Sequence, residues 1–343
     1  MNATMTKRLY IQEVSVRDGI QIEAAFIPTD KKIELVNGLS RTGLAKIEVT
    51  SFTSPKSIPA LADAELVMRG IDRLEGVEYA ALVPNVRGAE RALACSVDEL
   101  NIVMSVSETH NRANLRMSPQ RSLQQFTEIV RLASGHAQIN ASLSTAFGCP
   151  FTAFGCPFEG DLPDVRVLDS VARLVDLGIG RVSLCDTTGM ANPAQVRRLC
   201  ASVTARWPEL VLTAHFHDTH AMGLANALAA LDSGIVHFDA SLGGLGGCPF
   251  APGASGNVCT EDLVHMFQAM GIETGVRLDA LLLLAEGLPA LVGHDVSGHV
   301  LRAGPSTRRY PKPELIDIAQ GSEPTGGSAS PALQSTRIAR EDK

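Results

Sequence analysis

From residue 9 to residue 271 the chain alternates two hydrophobic patterns. Short runs rich in β-branched and apolar residues stand at 9–16, 46–52, 77–83, 99–106, 138–145, 181–185, 210–216 and 237–242. Each reads as a strand, because the runs are short and bounded by turn-forming residues. Between them the apolar positions recur at helical spacing, at 30–39, 62–74, 87–94, 122–133, 165–177, 194–205, 224–231 and 260–270. Many of these stretches begin near Asp, Asn, Ser or Thr. Several end at glycine, as at Gly43, Gly178, Gly234 and Gly271, which are the ordinary start and stop signals of a helix.

Eight β-α units in one unbroken run predict an α/β protein of the (β/α)8 TIM-barrel class. An open doubly wound sheet is the competing architecture. It would usually carry a Gly-x-Gly-x-x-Gly turn after its first strand, and this chain has none. Two further helical stretches, near 278–286 and 288–292, follow the barrel. They are expected to cap it or to contribute to a dimer interface. We divide the chain into an N-terminal tail (1–8), a barrel with C-terminal helices (9–303) and a disordered tail (304–343). In that tail, Pro, Ser, Gly, Thr and charge replace the apolar periods, most clearly after 320.

Composition narrows the function classes. With 343 residues, 45% of them hydrophobic, the chain can build one large core. A net charge of −7 and 4% aromatic content leave no basic, base-stacking face, so nucleic acid is not an expected partner. The greasiest run, 281–284, ends at Glu286, well short of a membrane span, so no membrane partner is expected either. Seven scattered cysteines (Cys95, Cys149, Cys156, Cys185, Cys200, Cys248, Cys259) contain no C-x-x-C pair. They fit a reducing, cytoplasmic setting better than a disulfide framework.

The candidate chemistry sits where barrels keep it, at the C-terminal ends of the strands. The first strand runs into Arg17-Asp18-Gly19-Ile20-Gln21, and the second carries Glu48. The sixth ends in Asp186-Thr187, the seventh in His215-Phe216-His217. Alternation puts His215 and His217 on one side of their strand, where two imidazoles can share an ion. Asp18 on the first strand and Asn257 would complete a mixed oxygen–nitrogen site. That donor set favours Mg²⁺ or Mn²⁺ over Zn²⁺. Arg17 would point away from Asp18 if the strand stayed regular, and toward it if the backbone turned. Glu48, in an otherwise apolar strand, needs a buried partner. Asp186 reads equally as a site residue or as a helix cap before Asn192-Pro193. The eighth strand enters Gly243-Gly-Leu-Gly-Gly-Cys-Pro-Phe-Ala-Pro-Gly-Ala-Ser-Gly-Asn257. So many glycines exclude a regular element and predict a loop that folds tightly, comes close to something and can close. A helix with Glu261 and Asp262 in its first turn follows.

Taken in order, Arg17-Asp-Gly-x-Gln21, Glu48-x-Thr-Ser-Phe-x-Ser-Pro55, Gly155-Cys-Pro-Phe-Glu-Gly160, Asp186-Thr, His215-x-His-Asp-Thr219, Leu224-Ala-Asn226 and the cysteine loop resemble the 3-hydroxy-3-methylglutaryl-CoA lyases. The first and fifth motifs are shared more widely, with isopropylmalate and homocitrate synthases among others. The cysteine loop is the specific one. The resemblance implies a metal-dependent retro-Claisen cleavage of an acyl-CoA to acetyl-CoA and acetoacetate, in a homodimer. It implies Asp18, His215, His217 and Asn257 as metal ligands. Arg17, Asp18, His215 and Cys248 are then catalytic. Gln21, Glu48, Ser142, Asp186, Thr187 and Glu261 bind substrate or support the site. Ile22 stands where the family commonly has Asn, and Ser142 where it commonly has Tyr beside the acyl pocket; both departures bear on the acyl substrate, not on the reaction type. Another branched 3-hydroxyacyl-CoA, such as citramalyl-CoA, is the alternative substrate.

One feature belongs to no architecture. Thr145-Ala-Phe-Gly-Cys-Pro-Phe151 is repeated at once as Thr152-Ala-Phe-Gly-Cys-Pro-Phe158. A shift of seven residues would turn every inward side chain of the fifth strand outward. The first copy is therefore expected to keep the strand and the second to bulge at the mouth. A barrel that binds without turning over, impaired by this insertion, is the alternative of another class.

Overall fold

A computed structural model describes residues 8–146, 163–247 and 256–310. Eight parallel strands close into a barrel in chain order. They are β1 (Tyr10–Glu13), β2 (Lys46–Ser51), β3 (Glu78–Val83), β4 (Glu99–Ser105), β5 (Gln138–Ser144), β6 (Arg181–Asp186), β7 (Val211–Phe216) and β8 (His237–Ala240). Around them run α1 (Thr29–Ser40), α2 (Ala64–Gly70), α3 (Val86–Leu93), α4 (Glu108–Leu115), α5 (Pro119–Ala133), α6 (Asp164–Asp176), α7 (Pro193–Arg206), α8 (Gly223–Asp232) and α9 (Thr260–Ala269). The short helices α10 (Leu278–Glu286), α11 (Leu288–Val292) and α12 (His299–Ala303) follow. Among the described residues, no helix is long and apolar enough to cross a membrane.

The local signals account for most helix ends. Asn192 caps α7 through the N–H groups of Ala194 and Gln195, and Gln195 returns the bond to Asn192 N. This is a capping box with Pro193 in the first turn. Asp186 is therefore not the cap of α7. Helix α4 was not anticipated. Ser107 caps it by accepting from His110 N, and Asn111 folds back to accept from Ser105 N and to donate to Met117 O.

The apolar core lies between strands and helices, with Ile11, Val49, Val83, Ile102, Leu143, Val182 and Phe238 fully or nearly fully buried. Inside the barrel the layers are polar. Gln12, Lys46, Glu48, Glu99, Asn101, Asn140, Ser142, Ser183 and Thr213 are all buried. At the N-terminal end Lys46 pairs with Glu99 (2.6 Å), and Arg181 bridges Glu99 (2.8 Å) and Glu78 (2.6 Å). A barrel's N-terminal face serves stability, so this cluster is structural.

Two strand ends depart from expectation. β1 stops at Glu13, three residues early. β5 stops at Ser144, and Thr145 leaves the ladder with φ of 57°, a strained conformation for a β-branched residue. The remainder of both seven-residue copies lies outside the described residues, as do most of the N-terminal tail and residues 311–343.

Candidate active site

The site starts where β1 ends. The carbonyl of Val14 accepts the N–H groups of Arg17 (3.1 Å), Asp18 (2.7 Å) and Gly19 (3.3 Å). The chain thereby coils into a single π-helical turn, Ser15–Gly19, a form that recurs at functional sites. That turn brings together two side chains that a regular strand would separate. Arg17 Nη1 lies 2.5 Å from Asp18 Oδ1, and Gln21 Nε2 donates to the same oxygen at 2.9 Å. Gly19 leaves room for a neighbour. A Cβ there would stand 2.8 Å from the Cβ of Leu245, at the root of the glycine loop.

Asp18, His215 and His217 present ligand atoms within 4.8 Å of one another, and all three are buried. His217 Nε2 is 3.9 Å from Asp18 Oδ2. His215 Nδ1 pairs with Asp239 Oδ2 at 3.2 Å, which fixes the ring and leaves Nε2 for the site. Asn257, at the far end of the glycine loop, bridges to His217 through the backbone. Its Nδ2 donates to Asp18 Oδ2 (2.8 Å) and to Leu245 O (3.1 Å), while among the described residues its Oδ1 has no partner. A buried amide oxygen without a donor is costly unless something else satisfies it. Its place beside a carboxylate and two imidazoles fits a divalent cation with mixed oxygen and nitrogen ligands. Gly246 makes this approach possible, since a Cβ there would come within 2.5 Å of Asn257 Nδ2.

The electrostatics suit cation binding. Burial alone would raise Asp18, but Arg17 and the two histidines outweigh it and hold the carboxyl at about 2. Burial and the neighbouring His215 push His217 down to about 4, so its ring is neutral at pH 7. Burial also works against the charged form of His215, yet the Asp239 bond wins and raises it above its ordinary value.

Glu48 finds the partners its burial demands. Oε2 receives Arg17 Nε at 2.5 Å, and Oε1 receives Asn101 Nδ2 at 2.7 Å. Asn101 Oδ1 in turn accepts from Ser142 Oγ (2.9 Å) and Asn140 Nδ2 (3.0 Å). Ser142 thus connects to the site through Asn101 and Glu48. Asp186 clasps its own loop, accepting from Met190 N (2.9 Å) and Ala191 N (3.0 Å). Burial outweighs those bonds and lifts it to about 7. Thr187 Oγ1 accepts from Thr145 N at 3.2 Å, tying the tops of β5 and β6. Glu261 stands at the loop root, where Oε2 accepts from Gly243 N at 3.1 Å. Cys248 lies outside the described residues.

The sequence reading missed Asp239 and Asn101. Both occupy alternate, inward positions of strands that otherwise look apolar, in His237-Phe-Asp239 and Glu99-Leu-Asn101. That alternation was the available signal.

Known proteins resemble this chain over most of its length. The hydroxymethylglutaryl-CoA lyase YngG of Bacillus subtilis is 48% identical over 288 residues, 84% of this chain and 94% of the relative. The mitochondrial hydroxymethylglutaryl-CoA lyase of Rattus norvegicus is 39% identical over 301 residues, 88% of this chain and 90% of that one. Among solved structures, an HMG-CoA lyase from Acinetobacter baumannii, in complex with coenzyme A and 3-methylmalate, superposes with a TM-score of 0.85 at 50% identity. It covers 91% of this chain and 100% of its own. The HMGL-like family matches residues 8–287, and with the barrel and its buried Asp–His–His cluster in place, the chain belongs to that family of carbon–carbon lyases.

Proposed function

We propose that the protein cleaves 3-hydroxy-3-methylglutaryl-CoA to acetyl-CoA and acetoacetate, with Mg²⁺ or Mn²⁺ held by Asp18, His215, His217 and Asn257. The observation that carries this reading is the Asp18–His215–His217 cluster beside Arg17, in a chain about half identical to lyases of that name. When bound, a divalent ion supplies Lewis acidity that eases loss of the substrate's hydroxyl proton. Asp18 or His215 lies in the same cluster to accept that proton, His215 only where its Nε2 is not committed to the ion, since Nδ1 is taken by Asp239. Arg17 is held at Nε by Glu48 and at Nη1 by Asp18. Its Nη2 makes no hydrogen bond among the described residues and is free to meet the thioester oxygen, where charge builds during C–C cleavage. Cys248, carried on the glycine loop, reprotonates the leaving carbon as that loop closes.

The direct test is a coupled assay of acetyl-CoA and acetoacetate on EDTA-stripped protein. Activity should be absent, then return with Mg²⁺ or Mn²⁺. Metal-independent turnover overturns the reading. Faster cleavage of citramalyl-CoA would move the substrate and keep the reaction.

Cys248→Ala should lower kcat by about a hundredfold or more, the scale of a lost proton-transfer group, with Mn²⁺ affinity unchanged. Equal loss of metal affinity would instead make the thiol a structural part of the loop.

We further propose a cytoplasmic homodimer. The described cysteines Cys95, Cys185, Cys200 and Cys259 are all free and buried, which suits a reducing compartment.

A further inference from the structure

Glu13 is fully buried at the last position of β1, and its hydrogen bonds among the described residues run to Ser15, Leu242 and Thr260. Its carboxylate gathers three donors from three different segments. Oε1 accepts from Ser15 N (2.8 Å), the first residue of the Arg17–Asp18 turn, and from Leu242 N (2.9 Å), the entry to the glycine loop. Oε2 accepts from Thr260 Oγ1 (2.7 Å), where α9 begins just beyond that loop. The two sides meet again above it. Gly19 packs on Leu245, and Asn257 bonds both Leu245 O and Asp18 Oδ2.

We propose that Glu13 is a positioning residue of the lyase site, setting the separation between the turn that carries Arg17 and Asp18 and the root of the loop that carries Cys248 and Asn257. The inference rests on the lyase reading above. Burial pushes Glu13 up to about 7 against the pull of these bonds, and a carboxyl group in either protonation state has oxygen lone pairs enough for the three contacts. Backbone bonds such as Val14 N to Ala240 O and Thr260 N to Ser241 O also join these segments. If they sufficed alone, Glu13 could be removed without effect on turnover.

Two substitutions separate bonding from mere packing. Glu13→Gln keeps an oxygen for Ser15 N and Leu242 N, and its amide can donate to Thr260 Oγ1. Glu13→Leu fills the space and leaves all three donors unsatisfied. With saturating Mg²⁺, Glu13→Leu should lower kcat about a hundredfold, the cost of misplacing reacting groups by about 1 Å. KM should stay within about threefold, while Mn²⁺ affinity should weaken, because Asp18 and Asn257 come from the two segments whose separation changes. Glu13→Gln should restore at least about a third of the parent kcat. A folded Glu13→Leu protein with parental kcat overturns the proposal, as does a Gln variant no better than Leu. Should Glu13→Leu fail to fold, Thr260→Val removes one of the three bonds, and parental kcat in that variant overturns the proposal equally. Amide hydrogen exchange on the Mn²⁺-loaded protein gives an arm that needs no turnover. Exchange at 15–19 and at 242–246 should rise together, about tenfold, in Glu13→Leu and not in Glu13→Gln. A rise on one side only overturns the coupling. A parent without lyase activity would sink the lyase reading, and Glu13 would then be judged on exchange alone.

Discussion

Replacing His217 with alanine should abolish metal binding and, with it, more than about a thousandfold of turnover. That figure corresponds to the several kcal/mol of charge stabilisation a divalent ion lends to a reacting oxygen, at about 1.4 kcal/mol per factor of ten. His217 is nearly completely buried and its Nε2 faces Asp18 Oδ2 at 3.9 Å. An alanine there leaves Asp18, His215 and Asn257 of the proposed set, one ligand short and with a void where the ring stood. Mn²⁺ titration by calorimetry reads the affinity directly. A His217→Ala protein that binds Mn²⁺ as tightly as the parent would remove this residue from the ligand set.

The same site dictates how metal affinity varies with pH. A protonated imidazole cannot ligate, so protons compete with the ion. His217 titrates near 4 and offers no competition at pH 5 to 8. His215, lifted above its ordinary 6.5 by Asp239 against the effect of burial, is still protonated at mildly acidic pH. Mn²⁺ affinity should therefore fall about tenfold per pH unit once pH drops below the His215 pKa. Asp239→Asn takes away the carboxylate that raises His215, and the fall should then begin at lower pH. An unshifted profile would show that Asp239 does not set the His215 proton.

Much of this architecture was legible because it obeys local rules. Helical periods, caps and glycine stops predicted the eight units, and the His-x-His alternation placed His215 and His217 together. The first strand was harder. Its apolar run continues through Val14 and Val16, so periodicity carried the strand to residue 16. A side-chain acceptor, Glu13 Oε1, takes the N–H of Ser15, and three N–H groups then converge on Val14 O. Nothing in the hydrophobic pattern encodes those choices. The polar barrel interior escaped for a related reason. A parallel strand buried on both faces looks uniformly core-like, and the attention that strand ends receive passes over Asn101 and Asp239. Those two residues matter because a buried charge needs its partner's partner held as well.

Arg17 shows what such holding is for, and its replacement should rank with the loss of the metal. Arg17→Lys keeps a positive charge but loses the planar fork that meets Glu48 through Nε and Asp18 through Nη1 at the same time. An ammonium is a compact point charge on a flexible stem without the fixed planar fork, so it cannot span both carboxylates in this geometry and also hold a donor fixed toward substrate. Turnover should fall by about 10²- to 10³-fold, the usual cost of removing a preorganised donor from a site of developing charge. Arg17→Met should fall at least as far and should also be less stable. It leaves the Asp18 and Glu48 carboxylates buried side by side without their shared cation, a loss of roughly 3–5 kcal/mol for a broken buried pair. The pH dependence separates the two variants. In the parent, Asp18 is depressed from 3.8 to about 2, so it adds stability above pH 3.8 that is lost as pH falls toward 2. That contribution is roughly 2 kcal/mol. Arg17→Met takes away the largest opposing charge, burial then dominates, and the carboxyl rises instead. Relative to the parent, its unfolding free energy should therefore gain as pH is lowered from 7 toward 4, a window in which Asp18 adds no slope to the parent. Urea denaturation across that range reads the slope. A Met variant whose stability tracks the parent at every pH would mean that Arg17 does not govern the Asp18 charge, and that its hold on the catalytic turn lies elsewhere.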